Sequence, residues 1–293
     1  MSDNPFEQID KLATEIMSIR KSPLFVMFYH EIAGSISHED VRDIYNEFRR
    51  RGWTRDSAKD KLDVLIHSYG GNAHASYRVA QILQDFAKNI VFLVPFHAAS
   101  GATLICLGGK EIRLGAYAAL SPIDTRIANV ELASIDSFKQ FAINCRSDVE
   151  EVLNKTNSPR STDVESALLC ELVRQNTALG IGSLYRQSSL SAHYAHRLMY
   201  DYMFAEHSNR EVMSQNIATQ LLEMYPSHDF VLDYHGAFLL DLPVKEMNEE
   251  ESEKTKALVD SLDDLVRKGV VCRDIGEDED GETLKSPFFR LYI

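Results

Sequence analysis

LDVLIHSYGGNAHASYRVAQILQDFAKNIVFLVPFHAASGATL, residues 62–104, is the stretch on which the fold turns. It opens with an apolar run, Leu62 to Ile66, passes through His67-Ser68-Tyr69-Gly70-Gly71, and enters a helix with a buried stripe at Val79, Ile82, Leu83 and Phe86. A second apolar run, Ile90 to Val94, leads to His97-Ala98-Ala99-Ser100-Gly101-Ala102-Thr103-Leu104 and a short apolar helix ending near Gly108. Short apolar runs bounded by turn residues read as buried strands, whereas recurrence at i, i+3, i+4 and i+7 marks one helical face. Upstream, the run Leu24 to Tyr29 precedes a helix with Ser37 as N-cap, Val41, Ile44, Tyr45 and Phe48 as its inner face, and Gly52 as its end. Downstream, Glu111 to Leu114 is another short strand. Strands alternating with helices imply a parallel sheet with right-handed crossovers. The ligand crevice of such a sheet lies beyond the carboxyl ends of its strands, so the Gly70-Gly71 loop and the Ser100 loop are expected to face each other.

Beyond this core, Ala118 to Asp124 is turn-prone, and residues 130–222 are mostly helical by pattern. Within them, 163–178 carries Val164, Leu168, Leu172 and Val173, and 212–224 carries Val212, Ile217, Leu221 and Met224. Asn154 to Thr162 reads as a loop. Asn248 to Lys256, dense in Glu and Lys, reads as an exposed helix, Glu277 to Gly281 as an acidic turn, and Phe288 to Ile293 as an edge strand. The division expected is a core domain over 1–245, including the helical segment at about 130–222, and an extension over 246–293.

The formal charge of −13 argues against nucleic-acid binding, which needs a concentrated basic face. The cluster Arg49-Arg50-Arg51 reads as the solvated C-terminal end of a helix. Cys106, Cys145, Cys170 and Cys272 have no metal-type spacing and read as reduced thiols. The N-terminus has neither a basic nor an apolar leader region, and no apolar stretch approaches the ~20 residues of a membrane span, so a soluble, cytoplasmic protein is expected.

Ser100 is the candidate nucleophile, because the small residues around it let a substrate approach the backbone closely. A serine hydroxyl needs a base within hydrogen-bond reach and donors where an oxyanion forms. The amides of Gly70 and Gly71, with Gly101 beside the serine, are the candidate donors. A tight turn at the glycines and mere helix packing around the serine remain the bland alternatives.

Taken together, His67-Ser68-Tyr69-Gly70-Gly71, Val94-Pro95, Ala99-Ser100-Gly101-Ala102-Thr103-Leu104 and Leu120-Ser121-Pro122-Ile123-Asp124 resemble the serine dehydrogenase proteinase family. These are relatives of signal peptide peptidase A in the Clp/crotonase superfamily. The resemblance covers residues 20–130 well and extends loosely over 220–245, around Tyr225-Pro226-Ser227-His228-Asp229-Phe230. It implies an α/β fold, a Clp/crotonase-like spiral of ββα units with additional helices and a C-terminal extension. It also implies a nucleophile at Ser100, an oxyanion hole from the Gly70-Gly71 loop, and assembly into homo-oligomers. Tyr69 departs from the pattern, standing where the family usually has proline.

The base is open. Peptidases resembling signal peptide peptidase A use a lysine, which points to Lys139; burial would have to bring its pKa from about 10.4 to roughly 7 or 8. An exposed helical lysine is the plain alternative. His97 stands three residues before Ser100, and His228 with Asp229 offers an imidazole-carboxylate pair. His193 and His196 share a helical face, but with no third ligand identifiable no metal site is assigned, and no cofactor is expected. The leading reading is a serine peptidase acting on peptides or proteins. A crotonase-like acyl-thioester enzyme and a catalytically inactive scaffold on the same fold are the alternatives. No Walker-type loop occurs, so any ATP-driven delivery of substrate would need a separate ATPase partner.

Overall fold

The apolar runs align as a parallel sheet: β1 (Leu24–Phe28), β2 (Leu62–His67), β3 (Ile90–Val94) and β5 (Glu111–Leu114) are adjacent, and β9 (Val244–Glu246) follows β5. Strand β10 (Phe288–Tyr292) runs antiparallel beside β1 and makes the other edge of this six-stranded sheet. The computed structural model describes residues 6–30, 34–124, 178–267 and 287–293, with 126–127, 130–131 and isolated positions between 135 and 174. Registers such as Phe28 opposite His67 and Val94 opposite Leu114 bring the carboxyl ends of the central strands level.

Every residue of β1 and β2 is buried, because helices cover both faces of the sheet. On one face lie α2 (His38–Arg50) and α3 (Ala73–Phe86), whose Phe48 and Phe86 rings stack at 4.9 Å. The sequence places Tyr45 on the inner face of α2, but it is 46% exposed and only leans on Phe86. Glu47 is buried in its stead: its carboxylate accepts the amide of Leu291 in β10 and bonds Arg50 and Arg51 of the basic triplet. Ser37 caps α2 as expected, in a reciprocal box with Asp40.

The other face is covered by α1 (Glu7–Arg20), which no sequence expectation anticipates, and by a long helix, Glu249–Arg267. The exposed helix expected over 248–256 is thus only the solvent side of a packed element. Its inner face is Glu251, Thr255, Leu258, Val259 and Leu262, hidden among charged neighbours in the sequence. Buried Glu251 reaches Arg20 at 2.8 Å and Arg113 at 3.0 Å, which ties α1, β5 and this helix together.

A second layer stands over the carboxyl ends of the strands. Strand β4 (His97–Ala98) pairs in parallel with β6 (Ala119–Leu120); Ser68 bridges to Ala98 on one side and Leu232 to Leu120 on the other. The chain therefore places a long strand in the main sheet and a short one in the small layer: β3 then β4 before helix α4 (Gly101–Cys106), and β5 then β6. Strands β7 (Arg126–Ile127) and β8 (Val130–Glu131) form a small antiparallel pair, and α5 (Ala178–Leu198) and α6 (Arg210–Glu223) pack on each other. The helix expected over 163–178 and Cys145 and Cys272 lie outside the described residues, apart from a few positions of the former. No helix among the described residues is long and apolar enough to cross a membrane.

Phe48 is fully buried and touches the rings of Phe25, Phe86 and Trp53. Phe48→Ala is expected to lower unfolding free energy by about 3–5 kcal/mol, read as a shift of the urea midpoint at unchanged slope.

Candidate active site

The loop after β2 and the loop after β4 meet directly. A Cβ added to Gly70 would lie 2.7 Å from the Ser100 Cβ, and one added to Gly71 only 2.3 Å from the Ile36 amide nitrogen. Gly70 holds φ at +103°, a conformation that favours glycine. The two glycines are therefore demanded by close approach to the serine on one side and to Ile36 on the other.

Ser100 has φ 52° and ψ −115°, a sparsely populated backbone that costs about 1–3 kcal/mol and turns its side chain out at the strand-to-helix junction. Two short hydroxyl relays hold it there. The Ser100 amide donates to Ser121 Oγ at 2.7 Å, and Ser121 Oγ donates to the Pro122 carbonyl at 3.0 Å. Thr103 Oγ1 donates to the Ala98 carbonyl at 2.6 Å and accepts the Ser121 amide at 3.1 Å. The Ala-Ser-Gly-Ala-Thr and Leu-Ser-Pro-Ile-Asp stretches thus lock one another.

The amides facing this turn divide into two kinds. Gly70 N–H, expected from the sequence to be an oxyanion donor, here donates to Ser68 Oγ at 3.0 Å. The N–H groups of Gly71 and Gly101 make no hydrogen bond among the described residues. They are close neighbours, since a Cβ on Gly101 would lie 3.1 Å from Gly71 N.

Ser100, Gly71 and Gly101 line a cleft of about 610 Å³ together with Asp124 and His228. His228 Nδ1 hydrogen-bonds Asp124 Oδ1 at 2.8 Å, with the two side chains 15% and 5% exposed. The carboxylate at this ring nitrogen is thus Asp124 and not the chain neighbour Asp229, because the Leu120–Leu232 bridge and the bond from Ile123 N to Leu221 O lay the segment around 228 along 120–124. Asp124 was missed in the sequence: 104 positions separate it from its partner, and only its place at the end of the Leu-Ser-Pro-Ile-Asp stretch marked it.

The other candidate bases are placed differently. His97 does not line the cleft; its ring lies against Tyr69 and His67, with centroids at 5.2 and 6.1 Å. Lys139 lies outside the described residues. His196 bonds Ser214 at 2.9 Å, and no three metal-type ligands converge among the described residues.

Ser68 lies behind the site. Its amide donates to the His97 carbonyl, its carbonyl accepts the Ala99 amide and its hydroxyl accepts the Gly70 amide, so one residue fixes both loops. Beside it, His67 is buried against Phe28 with Nδ1 unsatisfied, and burial, reinforced by the His97 ring, lowers its pKa to about 4.

Two predictions come from this geometry. Gly71→Ala cannot fit its Cβ without moving Ile36 and should expel the loop, detected as a loss of thermal stability together with loss of any Ser100 reactivity. For His67, the folded pKa of about 4 lies below the roughly 6.5 of an unfolded histidine, so between these values the unfolded chain binds the extra proton. Stability supplied by neutral His67 is complete above the upper value, falls through the window, and is gone near the lower, a change of up to about 3 kcal/mol. His67→Leu should flatten this acid slope in urea unfolding compared with the unsubstituted protein.

Residues 34–156 match the family described as ClpP-like SDH-type serine proteinase. Among curated proteins, uncharacterized protein MJ1495 of Methanocaldococcus jannaschii is 35% identical over 74 residues, 25% of either chain. Uncharacterized protein MJ0137 of the same organism is 27% identical over 135 residues, 43% of this chain and 45% of its own. The chain therefore spans less than half the length of the curated relatives it matches. The matched residues 34–156, which hold Ser100, Gly71, Gly101 and Asp124, are thus the part of the chain that is similar to the ClpP-like SDH-type serine proteinases.

Proposed function

We propose that the protein is a serine peptidase in which Ser100 is the nucleophile, His228 the general base and Asp124 the group that orients it. The observation that carries this reading is that the bonded His228–Asp124 pair and the strained Ser100 line the same cleft. Asp124 at Nδ1 orients the imidazole so that Nε2 is the nitrogen that takes the proton, and it stabilises the imidazolium that results. Ser100 Oγ attacks the peptide carbonyl carbon as its proton passes to His228, and the carbonyl π pair moves onto oxygen. The amides of Gly71 and Gly101 are suited to receive that oxyanion, since neither has another partner among the described residues. Collapse breaks the C–N bond, His228 returns the proton to the leaving amine, and water, activated by the same imidazole, hydrolyses the acyl-serine ester.

This reading moves the base from Lys139 to His228. What favours the histidine is a bonded carboxylate partner at the cleft, which is the usual orienter of such a base.

A fluorophosphonate probe should label the protein, and Ser100→Ala should lose the label. Ser100→Ala and His228→Ala should each reduce kcat for a casein-type substrate by at least ~10⁴, and Asp124→Asn by about the same factor. Lys139→Ala should keep activity within a few-fold. Full activity in His228→Ala with loss in Lys139→Ala would return the lysine as base; labelling that survives Ser100→Ala would remove the nucleophile.

A further inference from the structure

Helix α5 carries Gln187, Leu190, Ser191 and Tyr194 at the spacing i, i+3, i+4 and i+7, so they share one face. The first three line the cleft that holds Ser100 and His228. Tyr194 does not; its ring stacks flat on Tyr77 with centroids 4.1 Å apart and planes 9° apart, and its hydroxyl hydrogen-bonds His74 Nδ1 at 2.7 Å. His74 itself lines the cleft, at the start of α3 and directly after the Gly71 loop. One side chain thus joins the α5 wall to the helix that begins at a proposed oxyanion donor. Further along the chain, the Tyr202 hydroxyl donates to the Lys88 carbonyl at 2.7 Å.

The composition of the wall is also informative. Among the described residues the ionisable groups lining the cleft are Tyr69, His74, Asp124 and His228; the last two bond each other and His74 bonds Tyr194. Gln187, Leu190 and Ser191 carry no charge, and neither do Leu104 and Ile123 elsewhere in the lining. A charged substrate side chain lying on Gln187, Leu190 and Ser191 would give up hydration with no opposite charge on those three residues to meet it.

We propose that the Gln187–Leu190–Ser191 face of α5 selects the substrate segment beside the scissile bond, excluding charged side chains there, and that Tyr194 is the positioning residue that sets this wall relative to the Gly71 loop. The proposal rests on the serine-peptidase reading for its chemistry and on the α5 contacts for its geometry.

The test uses the full chain and a set of fluorescent peptides that differ at one position, with Leu, Asn, Asp or Lys. Tyr194→Phe removes only the hydroxyl. It should keep fluorophosphonate labelling of Ser100 and raise KM about fivefold with a smaller change in kcat, the loss of one hydrogen bond. Leu190→Glu should shift the ranking towards the Lys peptide by roughly tenfold. Peptide binding to Ser100→Ala, followed by anisotropy with and without Leu190→Glu, gives the same ranking with no chemistry involved. A KM and a ranking that both stay fixed while labelling persists would overturn the wall alone. A ranking that moves in the Ser100→Ala background while the unsubstituted protein resists labelling would uphold the wall and overturn the peptidase reading. A Tyr194→Phe protein that loses kcat and labelling together at unchanged KM would overturn the positioning role.

Discussion

The site depends on one backbone turn. Ser100 sits at φ 52° and ψ −115°, and nothing within the residue favours that geometry. It persists because its amide is bound by Ser121, because Ser121 is bound by Thr103, and because Gly70 leaves no Cβ where the serine Cβ must be. Each relay is a short side-chain to backbone bond, worth about 1 kcal/mol alone, and together they over-determine the turn. The same bonds connect the strand-end loops to the small second layer, so the strain is carried by the sheet and not by a free loop.

Ser68 extends this arrangement to the oxyanion side. It spends its amide and carbonyl on the His97–Ala99 segment and its hydroxyl on Gly70, which leaves Gly70 fixed and, among the described residues, the Gly71 amide unspent. Neutral His67 next to it suits this purpose, since a charge buried against Phe28 and close to His97 would push at both loops from behind. Both loops are thus held by several hydrogen bonds at the place where the proposed chemistry needs fixed donors.

How far the sequence reveals this varies by the range of the interaction. Strands β1, β2, β3 and β5, helices α2 and α3, and the meeting of the Gly70-Gly71 and Ser100 loops all follow from local periodicity and from the geometry of parallel sheets. Tyr45 and the helix Glu249–Arg267 were misread for a related reason: burial there is decided by partners far along the chain, Leu291 for Glu47, and Arg20 and Arg113 for Glu251. The role of Gly70 was unreadable because a hydroxyl two residues earlier takes its amide, a detail of turn conformation. The His228–Asp124 bond spans the entire helical segment, and no pattern in either stretch announces the other.

That long separation has a structural solution in the chain. Between Asp124 and His228 the polypeptide leaves the sheet edge, builds α5 and α6, and returns to pair Leu232 with Leu120 in both directions. The bridge lies four residues from each member of the pair, so the register of one short antiparallel contact fixes how imidazole and carboxylate meet. A triad is defined by roles in space and not by chain order, and in the one proposed here the order serine, aspartate, histidine arises because Asp124 belongs to the sheet edge and His228 to the returning segment. Helix α5 is then left to contribute the cleft wall, since the contacts that align the proposed reacting groups run through the Leu120–Leu232 bridge and Leu221 of α6.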